Sequence, residues 1–125
     1  MKLNKKDKIL CVCNEGVNRS KYLAKYLRNK GYKTKYGGLG EFSINPIHQI
    51  SIDWADVIIV VRKKFLPVLK KKFKIKGKKI IVLDVIDSPL SLPKEHEHLR
   101  LPDYIHFQRK WTYPHLRKAI KPYLT

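Results

Sequence analysis

Residues 13–20 place a nucleophile, a glycine and a cation close together in the chain. They read Cys-Asn-Glu-Gly-Val-Asn-Arg-Ser, from Cys13 to Ser20. The residues between the cysteine and the arginine can curl into a loop whose backbone N–H groups face one point. Such a loop attracts an anion and favours the thiolate form of Cys13, which is the nucleophilic form. The segment therefore predicts a phosphate-binding loop with a reactive thiol at its floor.

Individual residues of this loop have properties that bear on phosphate binding. Gly16 permits an unusual backbone angle in a tight cradle, and the planar guanidinium of Arg19 can hold two phosphate oxygens. Ser20 can donate a hydrogen bond to the thiolate, whereas the Glu15 carboxylate would repel phosphate and is expected to point to solvent. The predicted phosphate-binding residues are Asn14, Glu15, Gly16, Val17, Asn18, Arg19 and Ser20. The alternative is a buried strand cysteine followed by an ordinary turn into a helix.

Short apolar blocks separated by amphipathic segments position this loop. Residues 9–13, 57–61 and 80–85 are typical of strands buried on both faces, and 32–36 form a further strand candidate. A helix is predicted over 20–30 with Gly31 as its stop, another over 65–73, and a last one from about Pro114. The pattern predicts an α/β fold, a doubly wound parallel sheet of about four strands with helices on both faces and the loop directly after the first strand.

Length and composition restrict the class of protein. The 125 residues and 14.8 kDa predict a single domain over 1–125, and a hydrophobic content of 43% can support a core. We expect neither a transmembrane segment nor a signal peptide. The two cysteines, Cys11 and Cys13, are expected to point to opposite faces of the first strand and so not to form a disulfide, which predicts a cytoplasmic location. Residues 86–112 are predicted to form a long loop.

The chain is strongly basic. Lys and Arg number 28 against 10 Asp and Glu, so the formal net charge is +18. Seven lysines lie in the run 70–79, which begins at Lys70 and ends at Lys79. In the predicted fold this run lies at the sheet edge opposite the loop, where it either contacts a polyanion or forms a solvated face. Arg62, Lys63 and Lys64 are expected to flank the catalytic edge.

Two weaker patterns have structural alternatives. The segment 104–113 interleaves aromatic and basic residues, which is typical of base-stacking surfaces but also of an apolar strip packing on the core. His96 and His98 have metal-ligand spacing, yet no further ligands stand at supporting positions, so a solvated loop is the favoured interpretation. We therefore predict no metal site.

The loop resembles that of the low-molecular-weight protein tyrosine phosphatases. The likeness continues through the glycines at 37–40 and through the third- and fourth-strand regions at 54–61 and 79–85. It implies a reaction without metal or other cofactor, in which the cysteine takes the phosphoryl group as phosphocysteine and an aspartate protonates the leaving oxygen. This sequence departs from the family at Glu15-Gly16, where Gly-Asn is usual, and at Asn18, where the family has a second cysteine.

The general acid is expected after the fourth strand. Asp87 precedes Ser88-Pro89, much as the family's acid precedes a proline, and is the predicted acid; Asp103 is the reserve, and Asp84 is a candidate that could instead bind backbone donors at the strand end. Where the family carries tyrosines after its acid, this chain has Ser88, Pro89 and Leu90.

The sequence predicts a phosphatase that hydrolyses phosphomonoesters of phosphorylated proteins or small molecules, with phosphotyrosine proteins as the first expectation. Cys13 is the nucleophile, Arg19 holds the phosphate and Asp87 is the acid. The alternatives are a phosphate-recognition or nucleic-acid-binding module without turnover, and a phosphatase acting on nucleotides or nucleic-acid 5′-phosphates.

Overall fold

Four parallel strands form one sheet in a computed structural model that describes residues 2–86 and 107–124. The strands are β1 (Lys8–Cys13), β2 (Lys33–Gly38), β3 (Val57–Val60) and β4 (Lys79–Val82), in the spatial order β2-β1-β3-β4. All three pairings are parallel, and Cys13 at the end of β1 faces Gly38 at the end of β2. The predicted α/β fold with a four-stranded parallel sheet is confirmed.

The central strands are buried because they are apolar on both faces. All four residues of β3 and the last five of β1 are buried, as unalternating apolar runs predict. The expectation that Cys11 and Cys13 point to opposite faces is wrong: both lie on the same face of β1, since side chains two apart in a strand point the same way. Both side chains are fully buried free thiols.

Within residues 2–86 and 107–124, four α-helices flank the sheet: α1 (Arg19–Asn29), α2 (Gln49–Trp54), α3 (Phe65–Lys72) and α4 (Tyr113–Ile120). Helix α1 ends as predicted at Gly31, whose φ is +99°. The N–H of Gly31 bonds to Arg28 O at 2.9 Å and that of Tyr32 to Leu27 O at 3.1 Å, which is a Schellman C-cap. The described residues contain no helix that is long and apolar enough to cross a membrane.

The prediction of a long loop over residues 86–112 is wrong for its last residues, 108–112. Gln108–Thr112 form a π-helical turn that runs directly into α4. Phe107 and Trp111, four residues apart, are both buried and pack with Ile86, so this turn has an apolar side of its own. The aromatic residues of the described part of 104–113 therefore pack inside the protein, as the core interpretation of that segment predicted.

The order of the strands puts the loop after β1 at a switch point of the sheet. The chain moves from β1 to β2 on one side, then crosses back past β1 to β3 and β4 on the other. Right-handed crossovers place α1 on one face and α2 and α3 on the opposite face, and α4 packs beside α1. Ligands of such sheets bind at the carboxyl ends of the strands where the direction reverses, which here is the end of β1.

Candidate active site

Cys13 ends β1, and α1 begins at Arg19, so the loop spans 14–18. Cys13 Sγ lies 3.2 Å from the backbone N of Gly16, which donates to it, and 3.1 Å from Ser20 Oγ. The predicted nucleophile, loop glycine and serine are thus brought together around one sulfur atom. The Gly16 N–H donates to the sulfur, and the Cys13 thiol donates to Ser20 Oγ; once the thiol has lost its proton, the Ser20 hydroxyl can donate in the opposite direction and stabilise the thiolate.

The carbonyl groups of the loop point away from Cys13 and bond to the segment that follows β2. Asn14 O accepts from Gly40 N at 2.9 Å, Glu15 O from Ser43 Oγ at 2.6 Å, and Gly16 O from Asn45 Nδ2 at 3.1 Å. Asn45 Nδ2 also donates to Tyr36 O at 3.1 Å, which ties the loop to β2.

The outward carbonyls determine where the loop's N–H groups point. A trans peptide is planar, and its N–H is directed opposite to its C=O. The N–H groups of Glu15, Gly16 and Val17 therefore face the side away from the segment 40–45, and that of Gly16 is the one directed at Cys13 Sγ. Convergent backbone N–H groups form an anion-binding concavity. The Glu15 side chain itself is exposed, as expected.

Two glycines permit this close approach of backbones. Gly16 has a φ of +78°, and a Cβ there would lie 2.5 Å from Asn45 O and 2.8 Å from Gly37 C. A Cβ on Gly38 would lie 2.6 Å from Glu15 C. No other residue fits at either position without displacing backbone, and Gly16 also needs its left-handed angle.

The start of α1 contributes a cation and the positive end of a helix dipole. Arg19 is the first helical residue and is only 7% exposed, so its charge is held beside the loop in a region of reduced solvent screening. Ser20, the next residue, is fully buried. The uncapped N–H groups at a helix start and the dipole both favour an anion there.

Asn18 connects the loop to α4. It occupies the N-cap position of α1, but its side chain makes no capping bond and instead accepts a hydrogen bond from the Tyr113 hydroxyl. The ring of Tyr113 stacks on that of Tyr22 with centroids 4.0 Å apart. The sequence analysis did not identify Tyr113, Ser43 or Asn45 as residues that contact the loop. The one signal in the sequence was the group of glycines at 37–40, which allows a second stretch of backbone to lie close to the loop.

Cys11 shares a face of β1 with Cys13 but has a different environment. Burial raises the pKa of the Cys11 thiol far above its usual range, and the neighbouring Cys13 adds to the rise. Cys11 therefore stays protonated and unreactive at neutral pH, whereas Cys13 Sγ has hydrogen-bond partners in the loop.

Of the three candidate acids, Asp84 is the one within the described residues. Its Oδ1 accepts from the backbone N of Lys63 at 3.0 Å and lies 3.7 Å from Nε of Arg62, and its φ is +48°. The carboxylate thus links the ends of β3 and β4, as the structural alternative for Asp84 predicted. Asp87 and Asp103, together with His96 and His98, lie outside the described residues.

The lysines of the run 70–79 do not all lie where the sequence analysis placed them. Lys78 and Lys79 lie with Lys6 at the sheet edge opposite the loop, where they line a common cavity. Lys72, in contrast, donates through Nζ to Leu39 O at 2.7 Å, directly after β2 at the loop's edge. The expectation that the whole run 70–79 lies opposite the loop is therefore wrong for Lys72, because its long side chain reaches across.

Among residues 2–86 and 107–124, no three His, Cys, Asp or Glu side chains are grouped closely enough to hold a metal ion.

The sequence matches no model of a known protein family and no curated protein. Solved structures are similar over nearly the whole chain. Wzb of Vibrio vulnificus in complex with benzylphosphonate is 15% identical, with a TM-score of 0.66 and coverage of 94% of this chain and 96% of that one. The tyrosine phosphatase AmsI of Erwinia amylovora is 15% identical, with a TM-score of 0.65 and coverage of 94% and 91%. The arginine phosphatase YwlE of Geobacillus stearothermophilus is 19% identical, with a TM-score of 0.54 and coverage of 92% and 88%.

These similarities identify the fold. The chain has the fold of the low-molecular-weight protein tyrosine phosphatases, which confirms at the level of fold the resemblance that the loop motif indicated.

Replacing Gly16 with alanine should destroy phosphate binding, because the new Cβ overlaps the backbone of 37–45. Gly77→Ala is the matched control: its φ is +84°, similar to that of Gly16, but no atom lies within 4 Å of the added Cβ. We expect Gly77→Ala to cost about 1 kcal/mol of stability through backbone strain alone and to keep phosphate affinity. Urea unfolding and titration with inorganic phosphate measure the two effects. Equal loss of phosphate affinity in both variants would contradict the argument from close approach.

Proposed function

We propose that this protein is a cysteine-dependent phosphatase that hydrolyses phosphomonoesters. The observation that carries the proposal is the position of Cys13 Sγ, at 3.2 Å from the backbone N of Gly16 and 3.1 Å from Ser20 Oγ, beside a loop in which the carbonyls of Asn14, Glu15 and Gly16 bond to the segment after β2. A thiol that accepts a backbone N–H bond at the start of a helix combines a nucleophile with a binding site for the group it attacks.

In the first step the Cys13 thiolate attacks the phosphorus of the bound ester. A sulfur–phosphorus bond forms as the ester phosphorus–oxygen bond breaks, and the leaving oxygen takes a proton from a carboxylic acid. The loop N–H groups and Arg19 hold the phosphoryl oxygens on which charge is concentrated in the transition state.

In the second step water attacks the phosphocysteine. The sulfur–phosphorus bond breaks, inorganic phosphate leaves, and Ser20 stabilises the departing thiolate through the contact at 3.1 Å. The carboxylate formed in the first step takes a proton from the water, so the same aspartate acts as acid and then as base.

We propose Asp87 as this aspartate. Strands β1 and β4 are separated by β3, so a group that follows β4 is about 10 Å from the axis of β1 and must reach back over the end of β3. Asp84 is held by the backbone of Lys63, which leaves a later residue better suited to the role.

The substrate we propose is a phosphorylated protein or small molecule, with phosphotyrosine proteins as the first candidate. The proteins of similar fold include tyrosine phosphatases and an arginine phosphatase. A thiolate nucleophile works in a reducing compartment, and we therefore place the protein in the cytoplasm.

A phosphate-recognition module without turnover is the second candidate. It is favoured by the engagement of Asp84, which is held at the ends of β3 and β4 by Arg62 and Lys63. If the later aspartates do not reach the loop, the same N–H groups would bind phosphate and leave it intact.

Cys13→Ser should abolish hydrolysis of an aryl phosphate, since a serine hydroxyl is a far weaker nucleophile than a thiolate. Cys11→Ala is the matched control, a cysteine of the same strand whose thiol stays protonated, and it should keep hydrolysis at the wild-type order of magnitude. Rapid quenching followed by mass spectrometry should detect a phosphoryl group on the peptide containing residue 13 in the wild type and in Cys11→Ala, and no thiophosphoryl group on that peptide in Cys13→Ser. Equal hydrolysis by wild type and Cys13→Ser would exclude the covalent route; phosphate binding without hydrolysis by the wild type would favour the recognition module.

Asp87→Asn should slow hydrolysis most for esters with poor leaving groups. An alkyl phosphate needs a proton on its leaving oxygen, whereas an activated aryl phosphate does not, so we expect a loss of about 100-fold or more in kcat/KM for the alkyl ester and a much smaller loss in kcat/KM for the aryl ester. The comparison uses kcat/KM because it reports the first step, whereas kcat also contains the second step, in which the same residue is the base for both esters. Asp84→Asn should lower both rates by a similar factor and reduce stability, because its role is to hold the backbone at Lys63. If instead Asp84→Asn slows the alkyl ester much more than the aryl ester and Asp87→Asn does not, Asp84 is the general acid and Asp87 is not.

A further inference from the structure

Within the part of the chain that the structure describes, two neighbouring stretches carry cations and no acid. Five of residues 19–30 and five of residues 107–124 are Lys or Arg, and neither stretch contains Asp or Glu. The helices α1 and α4 that carry most of these cations pack against each other. Nine of the ten cationic side chains are exposed, Arg19 being the exception.

Like charges repel one another along the face formed by α1 and α4. Lys21 and Lys25 are four residues apart on α1, as are Arg117 and Lys121 at the end of α4, and like charges at this spacing are destabilising. The first turns of both helices contain no acidic residue, whereas the cations in their last turns match the negative end of the helix dipole. A bound polyanion would offset the repulsion between the like charges.

A cleft between the C-terminal ends of α1 and α4 concentrates the charge. Its volume is about 670 Å³, and it is lined by Tyr26, Lys30, Arg117, Lys118, Lys121 and Leu124. Four cations thus surround two apolar side chains. This combination suits an anion that also carries flat or apolar groups.

Aromatic rings connect the cleft to the loop. From Asn18 the contacts pass to Tyr113, whose ring stacks on Tyr22 at 4.0 Å, and then to Tyr26, whose ring centroid lies 6.4 Å from that of Tyr22 in a nearly parallel orientation. Nζ of Lys30 lies 5.1 Å from the centroid of Tyr26. The distance along α1 from Asn18 to Lys30 is about 18 Å at 1.5 Å per residue. A stacked single strand rises about 3.4 Å per nucleotide along its axis and so carries about five phosphates over that distance.

The lysine run 70–79 is less available than its composition suggests. Lys72 Nζ donates to Leu39 O at 2.7 Å, and Lys78 Nζ donates to Ala55 O at 2.7 Å and to Asp53 O at 2.9 Å. These two ammonium groups bind backbone carbonyls of the protein itself. On the face formed by α1 and α4, Arg28 donates to Thr34 O and Arg117 to the Tyr22 hydroxyl, so both surfaces contain cations with internal acceptors. What favours the α1–α4 face for an external anion is its cleft, where four cations lie beside apolar side chains.

We propose that this face, from Asn18 along α1 to the cleft at Lys30, Arg117, Lys118 and Lys121, binds the phosphodiester backbone of a single-stranded nucleic acid. We call it the α1–α4 strip. Its end at Asn18 adjoins the Cys13 loop, so a strand bound along the strip presents its terminal phosphate to the loop. The presentation of that phosphate as a substrate rests on the proposed phosphatase activity, whereas binding along the strip does not.

Binding is tested with a fluorescent single-stranded oligothymidylate that has hydroxyl ends, which removes the phosphatase reaction from the measurement. The strip variant is Lys30→Gln with Lys118→Gln and Lys121→Gln; the matched control is Lys70→Gln with Lys71→Gln and Lys76→Gln. Both lower the formal net charge of +18 by the same amount. We expect the strip variant to bind at least about tenfold more weakly and to reduce the slope of log affinity against log salt by about 2, while the control stays within about twofold of wild type.

Several outcomes would overturn the inference. Equal loss in the two variants would mean that net charge alone attracts the oligonucleotide, and loss in the control alone would assign binding to the run 70–79. Polyglutamate or phosphatidylserine vesicles that bind more tightly than the oligonucleotide, through the same three strip lysines, would make the partner an acidic protein or a membrane surface.

A second measurement separates this inference from the proposed function. Phosphate release is measured from a 5′-phosphorylated oligothymidylate and from an aryl phosphate. If the strip is correct and the protein is a phosphatase, the strip variant loses activity on the oligonucleotide and keeps it on the aryl phosphate. Strip-dependent binding with no phosphate release from either substrate would leave the strip established and refute the phosphatase.

Discussion

The direction of four carbonyl groups controls the candidate site. The carbonyls of Cys13, Asn14, Glu15 and Gly16 all accept hydrogen bonds from residues 39–45. In a planar trans peptide the N–H points opposite to the C=O, so the N–H groups of residues 14–17 point away from residues 39–45. This requires two backbones in direct contact, which is why Gly16 and Gly38 lack side chains at the crossing. The N–H groups of the candidate site are therefore oriented by the segment after β2 as much as by the loop that contains Cys13.

Helix α1 has two roles that follow from its position at the switch point of the sheet. Its first turn places Arg19 and Ser20 at the loop, and its apolar side is buried through Leu23, Ala24 and Leu27. Its exposed surface carries the cations Lys21, Lys25 and Arg28, which lie along the helix between the loop and the cleft with α4. Because Tyr113 bonds to Asn18, the last helix is coupled to the geometry of the loop as well as to this surface.

Neighbouring groups of the same type differ in environment and hence in chemistry. Cys11 and Cys13 share a face of β1, but burial raises the pKa of Cys11, whereas the sulfur of Cys13 has a backbone N–H and a serine hydroxyl beside it. Asp84 lies at the same edge of the sheet as the loop, but its carboxylate is bound to the backbone of Lys63. Residue type alone would not separate the reactive member of such a set from the structural one.

The sequence by itself determined the parallel sheet, the position of the loop after its first strand, and the identity of Cys13, Arg19 and Ser20 as candidate site residues. It could do so because apolar runs and the spacing from cysteine to arginine are local patterns. It misplaced the helical turn at Gln108–Thr112, where burial of Phe107 and Trp111 decides the structure. Only the tertiary structure revealed Ser43 and Asn45 behind the loop, Tyr113 on Asn18 and the cleft between α1 and α4, because these contacts join residues 28 to 95 positions apart and close only when the sheet is assembled.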